Sequence, residues 1–176
     1  MGSFIIQGGH SLHGEIQPQG AKNEALQVIS ATLLTDEKVT IQNIPNIRDV
    51  NKLMDLIKYL GVTVTQTDKS TFTFKAENVN FEYLHSQEFI EKAEGLRGSI
   101  MIMGPLLARY GKGYIPKPGG DKIGRRRLDI HFQGFKNLGA KFKYSHRDNF
   151  YTIEGANLKG TEMLLEEASV TGTANI

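Results

Sequence analysis

The sequence contains no cysteine among its 176 residues, so it can form neither a disulfide framework nor a thiolate metal site. It has no apolar run near the roughly 18 residues that a membrane span requires. Residues 1–16 lack the basic segment and the long apolar run of a signal peptide. The net charge is only +2, which gives no overall basic field for binding nucleic acid. These absences predict a cytoplasmic protein in which any cationic function comes from local clusters.

What is present is a repeat. The chain is 39% hydrophobic and 23% charged, as is typical of a soluble globular protein, and it is long enough for one ordinary domain or two very small ones. Three heptapeptides start 75 residues apart (95 − 20 and 170 − 95): GAKNEAL from Gly20, GLRGSIM from Gly95 and VTGTANI from Val170. Internal repetition of this kind indicates an architecture of repeated structural units.

Each of the first two heptapeptides is followed by the same predicted elements. The order is an amphipathic helix, a short strand, a second amphipathic helix and two further strands. The second helix of each unit ends at a glycine, Gly61 or Gly139, which can adopt the left-handed conformation found after helices. We therefore predict a mixed α/β (α+β) fold of repeated α-β-α-β-β units at 22–80 and 95–160. A third unit begins at 169–176, and its interruption predicts that the chain is part of a longer protein.

The stretch PKPGGDKIGRRRLDIHF, residues 116–132, lies before the second helix of the second unit. Equivalent positions of the two units are 73 residues apart before this stretch (Leu34 and Leu107) and 78 residues apart after it (Gly61 and Gly139). The second unit therefore has five extra residues here (78 − 73). Such an insertion indicates either a functional loop or a tolerated surface loop. Glycines let a backbone approach a ligand closely. The arginines at 125–127 offer planar forks for phosphate, although such a run is also typical of a solvated face.

Two further features could bind or react with an anion. Lys22 and Asn23 stand at the predicted start of the first helix, where the helix dipole favours anions, and Arg97 has the equivalent position in the second unit. The alternative is a solvated lysine at a helix start. Asp121 is either an ion-pair partner of the nearby cations or an acid that desolvation keeps protonated. The sequence has no P-loop, no His or Cys metal spacing and no Gly-x-Ser-x-Gly motif.

The segments GAKNEAL, LRGSIMIMGPLLAR and PGGDKIGRRRLDIH, in this order, resemble the UDP-N-acetylglucosamine enolpyruvyl transferases over the whole chain. The resemblance implies an inside-out α/β barrel, of which this chain is an N-terminal portion. Residues 1–21 would pack with a second domain in the missing C-terminal part of the same chain, and 22–176 would form an incomplete first domain. It also implies cytoplasmic transfer of the enolpyruvyl group from phosphoenolpyruvate to UDP-N-acetylglucosamine in peptidoglycan synthesis, hence roles in cell shape and division. No metal, organic cofactor, nucleic acid or membrane is implied.

Roles for individual residues follow from the same resemblance. The implied catalytic residues are Asp121 and Lys22. The residues implied to hold phosphoenolpyruvate are Lys22, Asn23 and Arg126. The residues implied to hold UDP-N-acetylglucosamine are Arg97, Arg126, Arg127, Leu128, Asp129, Ile130, Glu167, Ala168, Ser169 and Val170.

Three positions depart from the family pattern. Asp121 replaces the usual loop cysteine, so resistance to the thiol-alkylating epoxide fosfomycin is expected. Arg127 replaces a common proline, and Glu167 stands where lysine is frequent, which removes a cationic contact to the UDP moiety. Two alternatives remain open. One is the related 3-phosphoshikimate 1-carboxyvinyltransferase, and the other is a non-enzymatic phosphate- or RNA-binding module on the same repeats.

Overall fold

The computed structural model describes residues 3–119, 127–155 and 157–176. Its helices are α1 (Lys22–Ala31), α2 (Arg48–Tyr59), α3 (Gln87–Glu94), α4 (Met103–Tyr110), α5 (Asp129–Asn137) and α6 (Val170–Asn175). Three short 3₁₀ helices span Thr32–Leu34, Tyr83–His85 and Arg97–Ile102. The strands are β1 (Val39–Ile41), β2 (Thr63–Gln66), β3 (Phe72–Lys75), β4 (Lys112–Pro116), β5 (Lys141–Ser145) and β6 (Phe150–Glu154).

The strands form two antiparallel sheets with the same topology. The orders are β1-β3-β2 and β4-β6-β5, so the last strand of each unit lies in the centre. In the first sheet Phe74 is opposite both Val39 and Val64, and in the second Ile153 is opposite both Gly113 and Phe142. Phe74 and Ile153 are buried, so each central strand supplies an apolar residue to the core.

The helices cover one shared hydrophobic core. Apolar residues at helical spacing, among them Ile29 of α1, Leu53 of α2 and Phe135 of α5, are buried in a single cluster that includes both units. Gly61 and Gly139 follow α2 and α5 at φ +95° and +98°, as predicted for residues after helix ends. The predicted class, mixed α/β (α+β) with repeated α-β-α-β-β units, is confirmed.

Hydrogen bonds from α4 join the two units. Nη1 of Arg109 donates to the carbonyls of Leu33 and Ala76, at 3.1 and 2.8 Å. The predicted linker between the units contains α3, whose N-terminus is capped by Ser86 Oγ accepting from the Phe89 amide. The unit boundaries at 22–80, 95–160 and 169–176 remain predictions. Within the described ranges, no helix is both long enough and apolar enough to cross a membrane.

Candidate functional site

A pocket of about 420 Å³ is lined mainly by three segments that are distant in the sequence, with Asp49 and Arg127 in addition. These are the start of α1, the start of the 3₁₀ helix Arg97–Ile102, and the segment leading into α6. Its polar and charged lining residues are Lys22, Asn23, Asp49, Arg97, Arg127, Glu167, Ser169 and Thr171. Leu26 and Ile100 contribute apolar lining. The structure therefore brings together most of the described residues that the sequence indicated.

The first wall is the N-terminus of α1. The helix begins at Lys22, as predicted, and the preceding Ala21 provides no side-chain cap. The first backbone amides of a helix have no intrahelical acceptor, so an anion can accept from them there. Nζ of Lys22 lies 3.1 Å from Oδ2 of Asp49, and the two side chains are 45% and 40% exposed. An ion pair this exposed contributes ~0–1 kcal/mol, so an anionic ligand can compete for the lysine.

The second wall begins at Arg97. This residue opens the 3₁₀ helix, and the next residue, Gly98, packs against the side chain of Leu26 of α1. A Cβ at Gly98 would come within 3.1 Å of a Leu26 methyl carbon, so the small residue lets the 3₁₀ helix approach α1. Nη2 of Arg97 donates to the carbonyl of Arg127 at 3.1 Å. Arg97 and Lys22 thus line the same pocket from opposite units.

Arg127 is engaged by two carboxylates. Its Nε donates to both oxygens of Asp129, at 3.0 and 2.8 Å. Its Nη2 donates to one of the same oxygens and, at 2.7 Å, to Glu166. The hydrogen bonds that Arg127 donates to Asp129 and Glu166 raise the pKa of Arg127, and the hydrogen bond that Asp129 accepts from Arg127 lowers the pKa of Asp129. Arg127 therefore joins the start of α5 to the segment before α6, and its charge in the pocket is offset.

The four residues at 167–170 line the pocket as a continuous segment. Ser169 also caps α6, because its Oγ accepts from the amide of Gly172 at 3.0 Å. Glu167 adds a negative charge to this wall.

Three predicted site residues that the structure describes do not line the pocket, and two more fall outside the described residues. Leu128 is half-buried against the core, Asp129 is paired with Arg127, and Ile130 is buried against Gly172; none of the three lines the pocket. Asp121 and Arg126 fall within 120–126, outside the described residues.

The sequence analysis missed two polar lining residues, Asp49 and Thr171. Asp49 lies in the first turn of α2, 27 residues from the lysine it contacts. No local pattern links the two positions. Thr171 directly follows the predicted segment 167–170, so its place in the sequence was a usable signal.

Charge distinguishes this pocket from another of the same volume. The second pocket, also about 420 Å³, lies beside α1 and β1, and Glu24 is the ionisable residue in its lining. The candidate site has Lys22, Arg97 and Arg127 against Asp49 and Glu167. It is therefore the better place for a polyanionic ligand. In the described part of the chain, no three His, Cys, Asp or Glu side chains cluster as metal ligands.

Comparison with known proteins gives concordant matches. A family model described as EPSP synthase (3-phosphoshikimate 1-carboxyvinyltransferase) matches residues 6–176. The chain is 60% identical over 176 residues to the UDP-N-acetylglucosamine 1-carboxyvinyltransferase of Bacteroides fragilis, and 56% identical over 176 residues to that of Porphyromonas gingivalis. Both alignments cover 100% of this chain and 41% of the relative, so the chain spans less than half of their length.

Two solved structures share the fold. The enolpyruvyl transferase NikO from Streptomyces tendae matches with a TM-score of 0.67 at 17% identity, covering 86% of this chain and 32% of that one. An EPSP synthase from Acinetobacter baumannii matches with a TM-score of 0.62 at 16% identity, covering 92% and 36%. At these identities the likeness concerns the fold alone, and it confirms the predicted enolpyruvyl transferase type of α/β barrel.

Proposed function

This chain belongs to the EPSP synthase family, and we propose that the protein containing it transfers the enolpyruvyl group of phosphoenolpyruvate to the 3′-hydroxyl of UDP-N-acetylglucosamine, releasing phosphate. The observation that carries the proposal is the pocket in which Lys22, Arg97 and the segment 167–170 converge. Both substrates are polyanions, and a site with cations and a free helix N-terminus suits them. The 60% identity to a UDP-N-acetylglucosamine 1-carboxyvinyltransferase favours this sugar over shikimate 3-phosphate.

Within this proposal the two walls have different partners. Lys22 and Asn23, at the start of α1, hold the phosphate and carboxylate of phosphoenolpyruvate through charge-assisted hydrogen bonds. Arg97 and the segment 167–170 hold the nucleotide sugar. The offset charge of Arg127 makes it a residue that joins α5 to the segment before α6 rather than a strong phosphate ligand.

The chemistry is an addition followed by an elimination. A proton adds to the methylene carbon of phosphoenolpyruvate, and the sugar hydroxyl gives up its proton as its oxygen adds to the neighbouring carbon. The tetrahedral product then loses phosphate together with a proton from the new methyl group, which restores the double bond. We assign Asp121 as the proton donor and Arg126 as a substrate ligand, on the family resemblance alone. A carboxylic acid donor must be protonated when substrate is bound, and desolvation in the substrate complex would favour that form.

The exposed N-terminal segment is suited to packing against another domain. Residues 3–19 are exposed, and the apolar side chains of Phe4, Ile5, Leu12 and Ile16 are each more than 90% exposed. Exposed apolar side chains at this density favour burial against another surface. We propose that residues 1–21 pack with a second domain, which completes the site. In this view the protein acts in the cytoplasm in peptidoglycan synthesis, with consequences for cell shape and division, and resists fosfomycin.

The proposal is tested on the full-length protein by calorimetry with UDP-N-acetylglucosamine, shikimate 3-phosphate and a short RNA, followed by a phosphate-release assay. We expect the protein to bind UDP-N-acetylglucosamine and, when phosphoenolpyruvate is also present, to release phosphate with this acceptor and not with the other two ligands. Binding of shikimate 3-phosphate instead would identify the related enzyme activity, and binding of RNA without phosphate release would identify a non-enzymatic module.

A matched pair of variants tests the pocket itself. Lys22→Ala removes a lysine that is 45% exposed and paired with a carboxylate, and it should lower kcat/KM by about 100-fold or more through lost stabilisation of phosphate charge. Lys75→Ala removes another lysine that is 45% exposed and paired, with Glu77 at 2.8 Å, outside the pocket. It should leave turnover unchanged. Equal effects of the two substitutions would exclude a specific role for Lys22.

A further inference from the structure

A buried chain of hydrogen bonds lies behind the pocket wall and starts at Asn175. The backbone amide of Gly104 lies 3.1 Å from Asn175 Oδ1, and an amide N–H can only donate, so this atom is the oxygen. Nδ2 of Asn175 therefore lies on the other side, where it donates to the carbonyl of Ile100 at 3.0 Å. The same nitrogen lies 3.0 Å from Nδ1 of His131. Asn175 thus donates one hydrogen to each of the two acceptors.

This arrangement determines the tautomer of His131. Because Asn175 Nδ2 donates to Nδ1, that ring nitrogen carries no proton, and the neutral ring has its proton on Nε2. His131 is 1% exposed, and burial lowers its pKa to about 4, with the positive charge of Arg97 acting in the same direction. The ring is therefore neutral at physiological pH. Nε2 lies 3.4 Å from the Oγ1 atom of Thr171, so it donates to that oxygen.

The consequence is an oriented hydroxyl in the pocket wall. Thr171 lines the pocket beside Ser169 and Val170. Its oxygen accepts from His131, so the hydroxyl proton must be directed to a different partner. The hydrogen bonds of the described residues include no acceptor for this proton. The cationic lining residues Lys22 and Arg97 cannot accept it, and among the described residues Thr171 forms no hydrogen bond to the lining carboxylates of Asp49 or Glu167.

We propose that Thr171 is a further substrate-binding residue, whose hydroxyl donates to an oxygen of the nucleotide sugar, and that His131 is the positioning residue that orients it. The inference rests on the proposed function for the identity of the ligand. The orientation of the hydroxyl follows from the buried chain from Gly104 through Asn175 to His131 and does not depend on that identity.

The binding role is tested with Thr171→Val, which keeps the shape of the side chain and removes its hydroxyl. In the full-length protein, calorimetry with UDP-N-acetylglucosamine should show an affinity about 10- to 100-fold weaker, the range for a lost hydrogen bond to a charged group. Thr171→Ser should restore most of the affinity, and the KM for phosphoenolpyruvate should change little in both. An unchanged affinity in Thr171→Val would overturn the proposal. Failure of the unmodified protein to bind this ligand would instead overturn the proposed function.

The positioning role is tested by a double-mutant cycle. In His131→Asn the side-chain amide oxygen can still accept from Asn175, but the shorter side chain brings no donor to Thr171. In His131→Gln the longer side chain can bring its amide N–H group to Thr171. His131→Asn should weaken affinity in the unmodified background and add little in the Thr171→Val background, whereas His131→Gln should restore much of the affinity. Additive losses would show that His131 acts only through stability and would overturn its role.

A spectroscopic measurement tests the tautomer without any ligand. With ¹⁵N-labelled histidine, the resonances that His131→Asn removes should show an unprotonated Nδ1 and a protonated Nε2 at pH 7. A protonated Nδ1 would overturn the assignment of the Thr171 hydroxyl as a donor.

Discussion

The contact between α4 and α6 predicts a large effect for a very small substitution, Gly104→Ala. A Cβ at Gly104 would lie 2.5 Å from Asn175 Oδ1 and closer still to the Asn175 backbone carbonyl. Ordinary contact begins near 3.4 Å and the backbone oxygen of Asn175 would lie at 2.3 Å, so α6 would have to retreat by about 1.1 Å (3.4 − 2.3). The hydrogen bond from the Gly104 amide to Oδ1, now 3.1 Å, would lengthen to roughly 4 Å and be lost.

The free energy follows from three contributions. Overpacking a tight contact costs ~1–3 kcal/mol, and leaving a buried polar group unsatisfied costs ~1–3 kcal/mol. Alanine in place of glycine in a helix contributes about 1 kcal/mol in the opposite direction. We expect a net loss of about 3 kcal/mol in the free energy of unfolding. Because α6 carries Thr171 in the pocket wall, the affinity for UDP-N-acetylglucosamine should fall as well.

The assay is urea unfolding of the full-length protein, with calorimetry of the nucleotide sugar. Gly160→Ala is the matched control, because a Cβ there would meet nothing within 4 Å. It should leave both the unfolding midpoint and the affinity unchanged. If Gly104→Ala has the same urea midpoint of unfolding as the unmodified protein, the inference that α4 packs closely on α6 is wrong.

Three further predictions concern other residues. The pKa of His131 is about 4 in the folded state and ordinarily 6.5, so its contribution to the free energy of unfolding is complete above pH 6.5 and falls by about 3 kcal/mol as the pH drops to 4 (2.5 × 1.36). Across this pH range the full-length protein should lose its free energy of unfolding more steeply than the His131→Asn variant does. Equal slopes would contradict the buried neutral ring. Asp121→Asn should abolish most turnover because an amide supplies no proton, while Asp121→Cys should form a fosfomycin adduct detectable by mass spectrometry; full turnover in Asp121→Asn would make Asp121 an ion-pair partner instead. The 176-residue chain alone should release no phosphate above a no-protein blank, since the proposed site needs the second domain, and measurable turnover would show that the site is complete without it.

The sequence alone determined the repeated order of helices and strands and the start of the first helix. The α1 helix begins at Lys22, as predicted. The helix predicted for the second unit divides into a 3₁₀ helix from Arg97 and the α-helix α4 from Met103. The glycines at 61 and 139 adopt positive φ because a helix that ends there needs a residue without a Cβ. The segment 167–170 was also predicted, from the family resemblance, and it lines the same pocket as Lys22.

Only the tertiary structure decided which side chains meet. Asp49 reaches Lys22 across 27 residues, Glu166 reaches Arg127 across 39, and Asn175 reaches His131 across 44 and Gly104 across 71. None of these pairs has a local signature, because each depends on how whole helices dock on the shared core rather than on the propensities of neighbouring residues. The same docking pairs Arg127, which the resemblance implies as a ligand of UDP-N-acetylglucosamine, with two carboxylates. Local spacing determines where a helix lies along the chain, whereas the packing of distant helices determines what its side chains can bind.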